Sequence, residues 1–156
     1  LGAALTLGLL AGQAMALSCL RPDVARTYTE AAEAEAAYVV VHGKLDFDAA
    51  DMPPAQVTEP APESRALRAT LHGKGLTAEG FDTPFTRSIT LEAQCLGPWC
   101  AQAKPGVEVL AFVEAAGDSY RLTITPCGGM ALQEPSEADI DRVVACYQGK
   151  ACAPEG

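Results

Sequence analysis

A chain of 156 residues has room for one domain with a substantial core, and its 49% apolar content is ordinary for a globular protein. The net charge is −9, from 11 Lys and Arg against 20 Asp and Glu. That balance argues against nucleic acid, whose phosphates call for clustered cations, and against docking on an anionic lipid surface. Read along the chain, no basic stripe or aromatic platform is visible.

The first 16 residues, "LGAALTLGLLAGQAMA", carry no charge and end in the small-x-small sequence Ala14-Met15-Ala16. Signal peptidase reads that pattern, and the run is too short and too small-residued for a comfortable membrane span. Residues 1–16 are therefore expected to be part of a signal peptide. The mature chain would be a single domain, 17–156, opening Leu17-Ser18-Cys19, in the periplasm or outside the cell. A lipid anchor at Cys19 is the alternative, although Ala16-Leu17-Ser18-Cys19 lacks the Leu expected three residues before a lipidated Cys.

Residues 21–37, "RPDVARTYTEAAEAEAA", predict a helix. Pro22 suits a first turn, Asp23 suits the positive helix end, and Ala and Glu fill the rest. The β-branched run after it predicts a strand over 37–47, with Gly43 marking a bulge or bend. Residues 48–64 hold four prolines and several acids, which predicts a mobile loop. A second strand follows at 65–76, then a turn-rich connection at 77–84 and a third strand at 85–96. The fourth strand is expected at 107–115, a tight turn at 116–119, and the fifth strand at 120–126.

A C-terminal helix is expected to start at Ser136, with Asp139 completing a capping box, and to stop near Gly149. Its apolar stripe, Ile140, Val143, Val144 and Tyr147, should lie on the strands. Five strands with an N-terminal and a C-terminal helix predict a mainly β fold, a small barrel of the OB-fold kind. Gly43 and Gly73 fit a sheet that must curl to close.

The six cysteines are Cys19, Cys95, Cys100, Cys127, Cys146 and Cys152. An even number in an exported chain reads as three disulfides, drawn from about 15 pairings. In "CLGPWC", Cys95 and Cys100 are separated by four residues, and no helix follows to lower a thiol pKa. A thiol–disulfide oxidoreductase site needs both a closer pair and that helix. Zinc needs four ligands, and no second Cys pair stands nearby. The two cysteines either bond each other across the Gly97-Pro98 turn or staple separate partners, with Trp99 as a packing lid.

The two histidines sit in a repeated tripeptide, His42-Gly43-Lys44 and His72-Gly73-Lys74. If their strands pair, two imidazoles with Asp46 or Asp48 begin a metal site; the simpler reading is a glycine flanked by polar residues facing water. Catalytic residues, cofactors and resident metals are not expected. No nucleophile elbow or phosphate loop is present, and Glu30, Glu33 and Glu35 read as a solvated helix face.

The segment 100–127, "CAQAKPGVEVLAFVEAAGDSYRLTITPC", gives in order a Cys, a Lys-Pro-Gly turn, an apolar strand, a Gly-Asp turn, a strand and a closing Cys. With an early Cys19 and a late helix ending near Cys146, this order resembles the netrin-like module of the tissue inhibitors of metalloproteinases. The resemblance implies an OB-fold barrel and a non-enzymatic protein-binding role. It also implies a Cys19–Cys127 bridge, leaving Cys146–Cys152 to close the last helix on its tail. The family's inhibitors chelate a protease zinc through a first-residue Cys. Here Leu17 stands at that place, and a mature start at Cys19 would restore part of the wedge. By this analogy the contact surface for a protein partner comprises Leu17, Ser18, Cys19, Gly128 and Gly129.

Overall fold

The computed structural model describes residues 17–58 and 60–155. The expected signal peptide, 1–16, lies outside the described residues.

Helix α1 spans Val24–Glu33 and is shorter than the composition of 21–37 predicts. Asp23 caps it, accepting from the amides of Ala25 and Arg26 at 2.9 and 3.0 Å. At its other end Ala34 is extended, and the chain passes into strand β1, Ala37–Asp46. A short 3-10 turn at Ala49–Asp51 opens the proline-rich segment. That segment then runs along the molecule, where the Val57 amide donates to Pro98 and the Cys100 amide to Ala55.

Strands β2, Ser64–Thr77, and β3, Gly80–Leu96, form one long hairpin. The connection expected at 77–84 is only the two residues Ala78-Glu79. Two features permit this. Gly80 adopts φ +114°, and Thr77 Oγ1 hydrogen-bonds Glu79, Asp82 and the Gly80 carbonyl. Pro84 consequently sits inside β3. It is tolerated there because this half of β3 has a ladder partner on one side only.

Next come β4, Trp99–Cys100; β5, Glu108–Ala116; β6, Ser119–Thr125; β7, Gly128–Gly129; and β8, Ala131–Gln133. The short strands β4, β7 and β8 have no periodic signature. They exist because a neighbouring backbone is there to pair with: β4 on β3, β7 on β6 and β8 on β5. Helix α2, Glu137–Tyr147, has the expected Ser136–Asp139 capping box, and Gly149 follows it at φ +74°.

The ladders β1–β2, β2–β3, β5–β6 and β1–β5 are antiparallel, and β3–β6 is parallel. Together they close a five-stranded ring, a small OB-fold-like barrel held by three disulfides. The inner faces supply one core: Val41, Leu71, Leu91, Val109, Val113 and Leu122 are all buried. A second apolar layer lies outside the ring. There Val40, Leu110 and Phe112 meet Val24 and Ala31 of α1 and Val143 of α2. Because β5 is covered on both faces, its "VLAFV" run is buried without alternation. Of the expected α2 stripe, Val143 is fully buried, whereas Tyr147 stays 46% exposed near the helix end.

Gly43 makes no bulge. The β1–β2 register runs unbroken through it, and the shift falls instead between Gly75 and Leu76 of β2. Gly43 and Gly73 are direct cross-strand partners. A Cβ on Gly43 would lie 2.8 Å from the Gly73 Cα, and one on Gly73 would lie 2.6 Å from the Gly43 Cα. Both strands depend on hydrogen at this contact. Gly43→Ala is expected to cost about 3 kcal/mol, because the obstruction is backbone that cannot rotate away. Urea unfolding measures it, and a loss under about 1 kcal/mol would show that the strands separate easily.

Candidate functional site

The five residues expected to form a contact surface are ordered by the hairpin that ends the barrel. Thr125 of β6 pairs with Gly128 of β7, and Ile124 with Gly129. The turn between them holds Pro126 and Cys127, whose amide donates to Thr125 Oγ1 at 3.2 Å. Gly129 has φ +72°, and a Cβ there would lie 2.9 Å from the Thr125 nitrogen, so the hairpin closes tightly only with glycine.

Cys127 is bonded to Cys19, with a Cα–Cα distance of 5.3 Å. The bond draws the N-terminal segment along this hairpin. Ser18 and Cys19 border a cleft of about 270 Å³ together with Cys127, Gly128 and Gly129. Leu17 and Ser18 are exposed beside it, and Leu20 is 76% exposed, the most solvent-facing large apolar side chain among the described residues. The result is a ridge that exposes Leu17 and Leu20 and is anchored by one covalent bond. It offers shape and apolar area, and the cleft beside it is also lined by Arg21, Asp23, Arg26 and Glu30.

The other cysteines are paired as well. Cys95 and Cys100 face each other across β3–β4, with Leu96 opposite Trp99 and the Gly97-Pro98 turn between. Cys100 is buried and Trp99 half-buried, and Gln56 bridges to the Trp99 backbone. Cys146 bonds Cys152 and folds the C-terminal tail back on α2. No cysteine carries a free thiol.

Pairing of β1 with β2 does bring the two histidine tripeptides together, His42 opposite Lys74 and His72 opposite Lys44. His42 is occupied. Its Nε2 lies 3.7 Å from Glu108, and its ring packs edge-on against Phe81 at 5.6 Å. Among the described residues no group of three or more His, Cys, Asp and Glu is placed to hold a metal ion.

Sequence reasoning missed a cleft of about 690 Å³ between the N-terminal ends of the helices, bordered by Arg21, Asp23, Arg26, Asp139 and Arg142. The tail enters it. Arg142 pairs with Glu155 at 2.9 Å and donates to the Ala153 carbonyl, while the Glu155 amide donates to Asp23 at 2.7 Å. Partial burial pushes the Asp23 carboxyl up. The amides of Arg26, Glu155 and Ala25, together with the Arg142 charge, outweigh burial and hold its pKa below the ordinary value. Only the Asp23 cap had a sequence signal; the tail contacts arise from folding.

Because folding lowers this pKa, the carboxylate stabilises the protein fully above the ordinary Asp value of about 3.9. The contribution is lost as pH falls from there through the folded value. Asp23→Ala should therefore cost about 1 kcal/mol at neutral pH. The gap to wild type should narrow as pH falls below about 4 and close once the folded-state carboxyl is protonated, as seen in paired melts across pH. An undiminished gap in acid would exclude the carboxylate as its source.

A third recess, about 590 Å³, is lined by Tyr28, Tyr38, Tyr147, Leu76 and Phe85. Burial, then the nearby Glu114 charge, raises the Tyr38 pKa, so its hydroxyl stays protonated well into alkali. No helix among the described residues is long and apolar enough to cross a membrane. No protein-family model, curated protein or solved structure matches this chain.

Proposed function

We propose that the protein is an exported, non-enzymatic protein-binding module of the netrin-like kind, acting in the periplasm or extracellular space. The observation that carries this reading is the Cys19–Cys127 bond, which pins an exposed apolar segment along the Gly128-Gly129 hairpin. A segment held rigid before binding loses little conformational entropy on docking, so modest apolar area suffices for affinity. Three disulfides in one small domain are compatible with an oxidising compartment.

A photo-crosslinking residue in place of Leu20 tests the reading in material from the native compartment. It should give one discrete protein adduct that disappears in the Cys19→Ser/Cys127→Ser double variant. The same residue in place of Glu79, in the β2–β3 turn, should give none. Equal labelling from both sites would reject the N-terminal ridge as the contact surface.

The same bond supports a second reading, inhibition of a zinc protease by the mature N-terminus. A chain that begins at Cys19 would present its α-amine beside a disulfide-held edge; one that begins at Leu17 would not. N-terminal sequencing of the mature protein and inhibition assays on zinc proteases separate the two readings. A thiol–disulfide oxidoreductase is disfavoured because Cys95 and Cys100 flank a β3–β4 turn, with no helix N-terminus beside them to lower a thiol pKa.

A further inference from the structure

We infer that the outer face of β1, β2 and β3 is a docking surface for an acidic polysaccharide, separate from the N-terminal ridge. In β2, Leu67, Ala69 and Leu71 are buried in the barrel, so Arg68, Thr70, His72 and Lys74 point outward. In β1, Val41 and Leu45 are buried, and His42 and Lys44 point outward. The Gly43–Gly73 register sets Lys44 opposite His72 and His42 opposite Lys74. Two tripeptides 30 residues apart in sequence thus become one cationic cluster, with Arg68 further along the same face.

Lys44, Arg68, His72 and Lys74 are exposed, and among the described residues none of their side chains has a hydrogen-bond or ion-pair partner. The residues facing them on β3 are uncharged: Thr90 opposite Arg68, Thr86 opposite His72 and Pro84 opposite Lys74. The acids nearby are Asp46, at the end of β1; Glu108 of β5, which lies opposite Lys44 and 3.7 Å from His42; and Glu92 of β3, two residues from the partner of Arg68 and itself paired with Arg121 at 3.6 Å. Lys44 and Lys74 lie diagonally across the ladder, so one bound polyanion can pair with both.

The chemistry between the cations narrows the class of partner. Thr70, Thr86, Ser88 and Thr90 supply hydroxyls that both donate to and accept from sugar hydroxyls. From Arg68 to Lys74 the outward residues of β2 are Arg68, Thr70, His72 and Lys74, with no aliphatic group to enter a bilayer and no Phe, Tyr or Trp to stack a base. The overall charge of −9 disfavours non-specific polyanion binding, and binding at this patch is sensitive to salt.

Binding of the intact protein to a fluorescent heparin oligosaccharide, at about 50 mM salt, tests this. Saturable binding that weakens as salt rises is expected. The Lys44→Gln/Lys74→Gln double variant, with its melt unchanged, should bind at least about tenfold more weakly. Asp46→Asn should bind more tightly, and it carries the test alone if the double variant unfolds. Arg21→Gln, off the patch, should match wild type. The inference is overturned if heparin does not bind, if Arg21→Gln weakens binding as much as the lysine pair, or if Asp46→Asn changes nothing. It is equally overturned if single-stranded oligothymidylate or phosphatidylglycerol vesicles bind as tightly as heparin.

Discussion

Replacing Cys19 and Cys127 together by alanine is expected to destabilise the protein by about 5 kcal/mol. The bond joins residues 108 apart, and in the chain-entropy model a crosslink of that span removes about 5 kcal/mol of freedom from the unfolded chain. The matched Cys95→Ala/Cys100→Ala variant opens a link of separation 5, worth about 2 kcal/mol on the same basis. Urea unfolding of both variants, with the remaining bonds oxidised, compares them directly. The long-range pair should lower the midpoint more than twice as far as the short one. Equal losses would mean that native contacts of the N-terminal segment, rather than chain restriction, set the stability. Under the proposed function the long-range variant should also lose partner binding through the ridge, whereas the short-range variant should keep it, because Cys19 bonds that segment to the β6–β7 hairpin.

Phe112→Ala is expected to cost about 4 kcal/mol and to lower the melting temperature by about 12 °C. Phe112 is 1% exposed, on the outer side of β5, where it meets α1, α2 and the outward face of β1. Removing the ring leaves a cavity between two layers that are not joined by hydrogen-bonded ladders. The helices should therefore loosen before the barrel does. Amide exchange in α1 and α2 should accelerate more than exchange in β1 and β2. Uniform acceleration would show that the helices and the barrel form one cooperative unit.

Much of the fold is readable in the residues themselves. Alternation in 65–76 and the apolar run in 107–115 mark strands because each carries its burial pattern locally. Ser136 and Asp139 mark a helix start because a cap is a contact three residues long. Errors fall where local preference is overridden. Gly80 to Pro84 reads as turn chemistry, yet a long partner strand draws those residues into β3. Gly43 reads as a bulge, yet it is a point of backbone contact with Gly73. The tail contact between Asp23 and Glu155 joins residues 132 positions apart and leaves no local trace.

By itself, then, the sequence determined a mainly β chain with five principal strands, two capping helices and an even set of cysteines suited to crosslinking. These follow from short-range periodicity and composition. Tertiary structure alone decided that β3 meets β6 in parallel to close the ring, that Cys95 bonds Cys100 and not a separate partner, and that the two histidine tripeptides form one face. Each of these is a contact between distant segments, chosen by which closed arrangement buries both apolar layers at once. No window of residues shorter than the barrel contains that information.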